Sequence, residues 1–237
     1  MQTKRERMKK IIPYTLIIIA MIMITSACSE AQNKRISEHE TMNMGNNSIS
    51  SPAIDLKTDM RQLWEEHVTW TRNVIICLVD DVPGTDQAIA RLLKNQDDIG
   101  NAIKPYYGAA AGKQLSVLLY PHINISAEVI KAMKSGNTAA LEDANKRWYA
   151  NADEISTFLC KLNPSWKLAD MKRMMKIHLE LTTEEVHARI KKDYSADVKA
   201  HDAVHFEILQ MADMLSEGIV MQFPEKFEIK CITEMSK

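Results

Sequence analysis

Glycine and proline are scarce, seven of each in 237 residues. That scarcity argues against a many-stranded fold, which needs turn chemistry at every chain reversal. Cysteine is scarcer still: Cys28, Cys77, Cys160 and Cys231 are too few for a disulfide scaffold. Gly-x-Gly-x-x-Gly and Gly-x-x-x-x-Gly-Lys-Ser/Thr loops are absent, so phosphate cradling finds no support. A Gly-x-Ser-x-Gly nucleophile elbow is missing as well. The net charge is only -1, with no basic stripe, and nucleic acid is therefore not an expected partner. What is present, 46% apolar and 26% charged residues, is the balance of a globular protein.

Charge is unevenly placed. Residues 1–27 carry Lys4, Arg5, Arg7, Lys9 and Lys10 against Glu6, a local +4, which leaves -5 on the remainder. The apolar run 11–24 that follows spans 14 residues, short of the ~20 a membrane-crossing helix needs. A basic start, a short apolar run and small residues after it read as a secretory signal. The junction Thr25-Ser26-Ala27-Cys28 resembles the lipobox of bacterial lipoproteins. That resemblance implies a lipid on Cys28 and a place on the outer face of the cytoplasmic membrane, with plain cleavage after Ala27 and a secreted form as the alternative. Residues 29–51 are Ser-, Asn-, Glu-, Gln- and Thr-rich without hydrophobic period, which suits a flexible tether. The expected organisation is a signal over 1–27, anchor and tether over 28–57, a folded domain over 58–224 and a tail over 225–237.

The domain is organised around a repeat. His67-Val-Thr-Trp-Thr71-Arg-Asn-Val-Ile75 returns as His122-Ile-Asn-Ile-Ser126-Ala-Glu-Val-Ile130 and as His178-Leu-Glu-Leu-Thr182-Thr-Glu-Glu-Val186, at steps of 55 and 56 residues. Each copy has a histidine, a hydroxyl residue four places on and a β-branched residue at the eighth. Apolar spacing of three and four predicts helices over 58–79, 85–103, 109–134, 138–161, 168–192 and 195–222. Thr85 is placed to cap the second, and Pro121 should kink the third. On the last, Val198, His201, His205, Ile208, Ala212, Leu215 and Ile219 read as a bundle seam. The expected fold is all-α, a bundle of three duplicated antiparallel helical hairpins whose apolar faces must be buried against one another.

In an antiparallel hairpin, positions equidistant from the turn meet. Counting out from each turn sets His67 opposite Asp97 or Asp98. It sets His122 within a turn of Asn151 and Asp153, and His178 within a turn of Glu207. Buried imidazoles need partners, so one reading is a register bond in each hairpin. The other is a transition-metal site (Zn, Fe, Cu or Mn) drawn from His67, His122, His178, His201, His205, Asp97, Asp153 and Glu207. The ferritin-like Glu-x-x-His motif appears once, at Glu184 and His187. His201-x-x-x-His205 has the spacing of paired helix ligands. The methionines Met171, Met174, Met175, Met211 and Met214 read as core filler. Cys77 and Cys160 lie in apolar helical stretches, and whether they are bridged is left open by the sequence.

The stretches Leu63-Trp-Glu-Glu-His67-Val-Thr-Trp-Thr-Arg72, Ala102-Ile-Lys-Pro-Tyr-Tyr-Gly108, Arg147-Trp-Tyr-Ala-Asn-Ala-Asp-Glu154, Met211-Ala-Asp213 and Met221-Gln-Phe-Pro224 are similar to a family of small helical proteins from spore-forming Gram-positive bacteria. Members of that family sometimes bear the names glycosyltransferase or acetylglutamate kinase. The resemblance implies an all-helical fold and assigns no activity to particular residues. The leading expectation is an exported, lipid-anchored binding or interaction module, more a binder than an enzyme, with its core histidines serving structure. The runner-up is a metal-binding bundle with a storage, sensing or redox role.

Overall fold

The structure, a computed structural model, describes residues 51–228. The signal-like run, Cys28, the tether residue His39, Cys231 and the last residues of the tail lie outside the described residues. Within them the chain forms α1 (Pro52–Asp80), α2 (Thr85–Ala102), α3 (Lys104–Ser135), α4 (Thr138–Leu162), α5 (Leu168–Ile190) and α6 (Tyr194–Gln222), then a 3-10 turn at Pro224–Lys226. No strand occurs among the described residues, and the all-α bundle expected from the repeat is what forms. None of the described helices is long and apolar enough to cross a membrane.

Three local expectations need correction. Helix α1 starts at Pro52, six residues before the expected 58. Proline suits a first helical turn, where its missing N–H would be unused and its φ is already helical. Leu56 is buried, so this turn belongs to the bundle and not to the tether. Thr85 does not cap α2: Gly84 holds the N-cap position, and the Thr85 hydroxyl donates back to the Val82 carbonyl at 2.8 Å. The break in α3 falls at Gly108, with φ 83° and ψ 166°, a backbone region open to glycine and to few other residues. Pro121 stays inside continuous helix. It lies on the solvent face, and the Val117 carbonyl that it leaves without an N–H belongs to an exposed residue that water can serve. Elsewhere the caps are conventional: Asn137 accepts from the Ala140 N–H at 3.1 Å and Asp193 from the Ala196 N–H at 3.0 Å.

Each hairpin is antiparallel, so α1, α3 and α5 run the same way, and these three also pack on one another. The returning helices lie outside them: α2 packs against α3, α4 against α5 and α6 against α1. The repeat therefore becomes three stacked layers along the inner helices. One layer is His67, His122 and His178. The next is Thr71, Ser126 and Thr182. The third is Ile75, Ile130 and Val186, a buried apolar cluster. Each hydroxyl donates into its own helix, Thr71 to the His67 carbonyl at 2.7 Å and Thr182 to the His178 carbonyl at 2.8 Å.

The main core lies toward the opposite end, around Met60, Trp64, Ile99, Trp148, Ile155, Met171, Leu179, Ile208 and Met211. Met171, Met175 and Met211 fill it as expected. Cys77 and Cys160 are free thiols, each half-buried. At that end Tyr107 is clasped between helices. Its hydroxyl donates to Gln222 Oε1 at 2.9 Å and accepts from Asn163 Nδ2 at 3.0 Å, and burial pushes the phenol up to about 12.

On α6 the apolar line runs through Ala200, Val204, Ile208, Met211, Leu215 and Ile219, not through Val198, His201 and His205. Val198 is exposed, and the two histidines sit at the edge of the line. A shift of one residue is about 100° of helix rotation, enough to move a residue from seam to rim.

Helices α2 and α3 touch backbone to backbone. A Cβ on Gly100 would collide with the Ser116 hydroxyl and with the Gly112 carbonyl, and the Ser116 hydroxyl donates to the Gln96 carbonyl at 3.1 Å. Gly100→Ala is therefore expected to lose about 1–3 kcal/mol of stability through overpacking, although alanine is the better helix former. Urea denaturation measures this, and an unchanged midpoint would contradict the close approach.

Candidate functional site: a buried imidazole layer

The three repeated histidines meet. The His178 ring lies in the middle, its centroid 5.7 Å from that of His67 and 6.5 Å from that of His122. All three are buried. In every hairpin the Nδ1 atom faces a side chain 29 residues further on, carried by the returning helix: Gln96 Nε2 at 3.2 Å from His67, Asn151 Oδ1 at 3.0 Å from His122 and Glu207 Oε2 at 3.2 Å from His178. Asn95 joins Gln96 at the first ring, where Gln96 Nε2 donates to Asn95 Oδ1 at 3.2 Å.

The two asparagines act alike. Asn95 Nδ2 donates to the Leu63 carbonyl at 2.9 Å, and Asn151 Nδ2 donates to the Leu118 carbonyl at 3.0 Å. Each of those carbonyls belongs to the residue four places before the histidine. With its amide nitrogen committed to Leu118, Asn151 has only its oxygen left for His122. The His122 Nδ1 must then carry the proton, and the lone pair resides on Nε2. At His178 the Glu207 oxygen faces Nδ1 in the same way, whereas at His67 the Gln96 amide nitrogen donates to Nδ1.

Two tryptophans border the layer, Trp64 with its ring 5.7 Å from His67 and Trp148 with its ring 5.6 Å from His122. Their indole N–H groups are buried without a hydrogen-bond partner, as are Gln96 Oε1 and Glu207 Oε1. Burial first, and then the neighbouring His178 and His122, hold the His67 imidazole well below its usual range. Burial first, and then His178, bring His122 down to about 3.

The other residues of the expected metal set lie apart from this layer. Asp97 is at the right level of α2 but on another face, where it accepts from the Tyr120 hydroxyl at 2.7 Å. Gln96, one residue earlier, takes the place opposite His67. Asp153 pairs with Lys172 at 2.8 Å on the surface. His201 and His205 have ring centroids 6.5 Å apart. His201 Nδ1 lies 3.4 Å from Glu185 Oε1, and His205 Nε2 lies 3.4 Å from Glu65 Oε1. Of the acidic members of the set, Glu207 is the one facing a repeated histidine. Among the described residues no group of three or more His, Cys, Asp or Glu side chains stands ready-made to hold a metal ion.

A second buried polar group went unread in the sequence. Arg72 Nη1 donates to Glu185 Oε1 at 2.6 Å, and its two Nη atoms meet Asp197 at 3.0 and 3.2 Å in a fork. Arg189 also reaches Asp197, at 3.2 Å, and pairs with Asp80. Glu185 and Asp197 are each 1% exposed. One signal was available: at the position seven beyond the histidine the copies read Val74, Val129 and Glu185. An acid replacing a core valine needs a buried cation, and Arg72 supplies it.

Comparison with protein-family models, with curated proteins and with solved structures finds no match to this chain.

The depressed imidazoles set a pH dependence. In the unfolded chain histidine titrates near 6.5, so below that pH the unfolded state binds protons that the folded His67 and His122 refuse. Their contribution is complete above about pH 6.5 and declines as pH falls, by about 1.4 kcal/mol per pH unit for each ring. For His122 the decline continues to about pH 3. Denaturant midpoints at pH 7, 6 and 5, in buffer freed of divalent cations, should fall steadily, and less steeply in His122→Gln. A midpoint unchanged between pH 7 and pH 5 would contradict this account.

Proposed function

We propose that this chain is an exported, lipid-anchored binding or interaction module of the cell surface, non-catalytic, in which the repeated histidines hold the hairpins in register. The observation that carries the reading is where the chemistry lies. The repeated polar side chains are spent inside the bundle, bonded across each hairpin at a constant offset of 29 residues. A catalytic cleft would instead present titratable groups to a substrate.

The surface carries the remaining capacity for contact. An open, largely apolar groove of about 400 Å³ lies where α1 begins, between Ala53 and Ile54 of α1 and Val220 and Met221 of α6. Lys57 and Glu217 form its rim and pair with each other at 3.3 Å. The basic start, the short apolar run and the Thr25-Ser26-Ala27-Cys28 junction of the sequence support an envelope location, where a tether of 29–51 and an acylated Cys28 would hold the bundle at the membrane.

Export and anchoring make the decisive test of the address. The full chain, expressed in a Gram-positive host fed a labelled fatty acid, should incorporate label and sediment with membranes. Cys28→Ala should abolish the label. An unlabelled wild type, or a Cys28→Ala chain that still labels, would overturn the anchor.

A further inference from the structure

We propose that the imidazole layer is a binding site for one divalent first-row transition-metal ion of the Zn²⁺ and Co²⁺ class, taken up on Nε2 of His67, His122 and His178. This goes beyond the surface-binding reading and stands or falls independently of it.

Several observations converge. The three rings come from helices that run the same way and lie at one level of the bundle, with His178 between the other two. Their Nδ1 atoms are already engaged by the returning helices. That directs Nε2 of each ring away from its partner, and for His122 the Asn151 amide fixes it as the lone-pair nitrogen. At His67 the Gln96 amide nitrogen donates to Nδ1, so binding there requires that amide to turn and offer Oε1, the oxygen that now has no partner. His122 and His178 are oriented as metal-bound histidines are, with Nδ1 against an amide or carboxylate oxygen.

Glu207 points independently to a cation. It is 93% buried, one oxygen meets His178 Nδ1 at 3.2 Å, and the other has no partner. No lysine or arginine pairs with it among the described residues. Its one ionic partner among them is the His178 ring, and a buried carboxylate so sparsely paired is costly. A divalent ion on the far side of the His178 ring would offset that charge through the imidazole, as a carboxylate–histidine–metal triad does. The unpartnered indole N–H groups of Trp64 and Trp148 and the free Gln96 Oε1 lie beside the same rings.

The spacing is close to what an ion requires. Imidazoles sharing one ion through Nε2 at ~2.0–2.1 Å have centroids roughly 5–5.5 Å apart. The separations of His178 from its two neighbours, 5.7 and 6.5 Å, would have to close by about an ångström on binding, with His67 and His122 drawn in on either side of it. Three neutral nitrogens favour Zn²⁺, Co²⁺ or Cu²⁺ over Ca²⁺ and Mg²⁺, which prefer oxygen.

The test is Co²⁺ titration of the metal-free full chain, purified without a histidine tag and followed by visible absorption, with Zn²⁺ as competitor. The expected result is one Co²⁺ per chain, visible ligand-field bands and displacement by Zn²⁺. His178→Gln should abolish the bands, and Glu207→Gln should weaken binding about 10–100-fold. Variants of the rim pair, His201→Gln and His205→Gln, should bind as the wild type does. Circular dichroism checks that each variant is folded. Should His178→Gln fail to fold, the wild type still decides, because Co²⁺ must then shift the proton resonances of the three buried rings and not those of the rim pair. Absence of stoichiometric binding, a weak surface complex lost with His201 or His205, or ring resonances left unshifted would each overturn the proposal.

Discussion

The bond between each repeated imidazole and its partner 29 residues on is the constraint from which the architecture follows. It joins the two helices of one hairpin at one level, and a slip of one residue would rotate the partner by about 100° and break it. In the first two hairpins an asparagine reinforces it by holding the backbone carbonyl one turn before the histidine. Ring, backbone and returning helix are thereby fixed together. Stranding either partner of such a bond costs about 1–3 kcal/mol. Once the rings share a level, the hydroxyl and β-branched residues one and two turns further on share levels as well, and the three layers stack.

The copies are not equal, and the inequality has a mechanical meaning. Five of the six joints between neighbouring helices are closed by short connections; the sixth, between α6 and α1, has none. Charge gathers there. Arg72 of α1 meets Asp197 of α6 and Glu185 of α5, and on the surface Lys57 and Arg61 meet Asp213 while Glu65 meets His205. Exposed pairs contribute about 0–1 kcal/mol each. The buried fork matters more for geometry, since three helices must converge to satisfy it, and an arginine left without both carboxylates would be a stranded charge. The third copy's departure from the valine pattern at Glu185 is thus tied to its position beside the open joint.

The sequence made the plan of the bundle legible because the plan is periodic. Six helices, three turns and the pairing of His122 with Asn151 and of His178 with Glu207 all follow from spacing. What spacing could not resolve was rotation. Asp97 and Gln96 are one residue apart and equally near the right level, yet only the second faces His67, because counting from a turn fixes height along a helix and not azimuth. The seam of α6 was misplaced for the same reason, through Val198 and not Ala200. Pro52 fell within the expected tether, yet it opens the first helix. Glu185 stood in plain view as an acid in an apolar position, but its partner Arg72 lies 113 residues earlier, and nothing local links them.

A polar layer at the centre of a bundle is an expensive way to fill it. The frame accepts an apolar triple at an equivalent level, since Ile75, Ile130 and Val186 occupy one two turns away. Apolar residues of similar volume generally hold a core at least as firmly as a buried polar set. In the second hairpin the Asn151-to-Leu118 bond adds to the lock that the ring supplies. What a histidine adds to that bond is a second nitrogen, oriented by the first and directed away from the partner that holds it. Three such rings at one level, with a buried Glu207 oxygen left without a partner behind one of them, are more than packing alone requires.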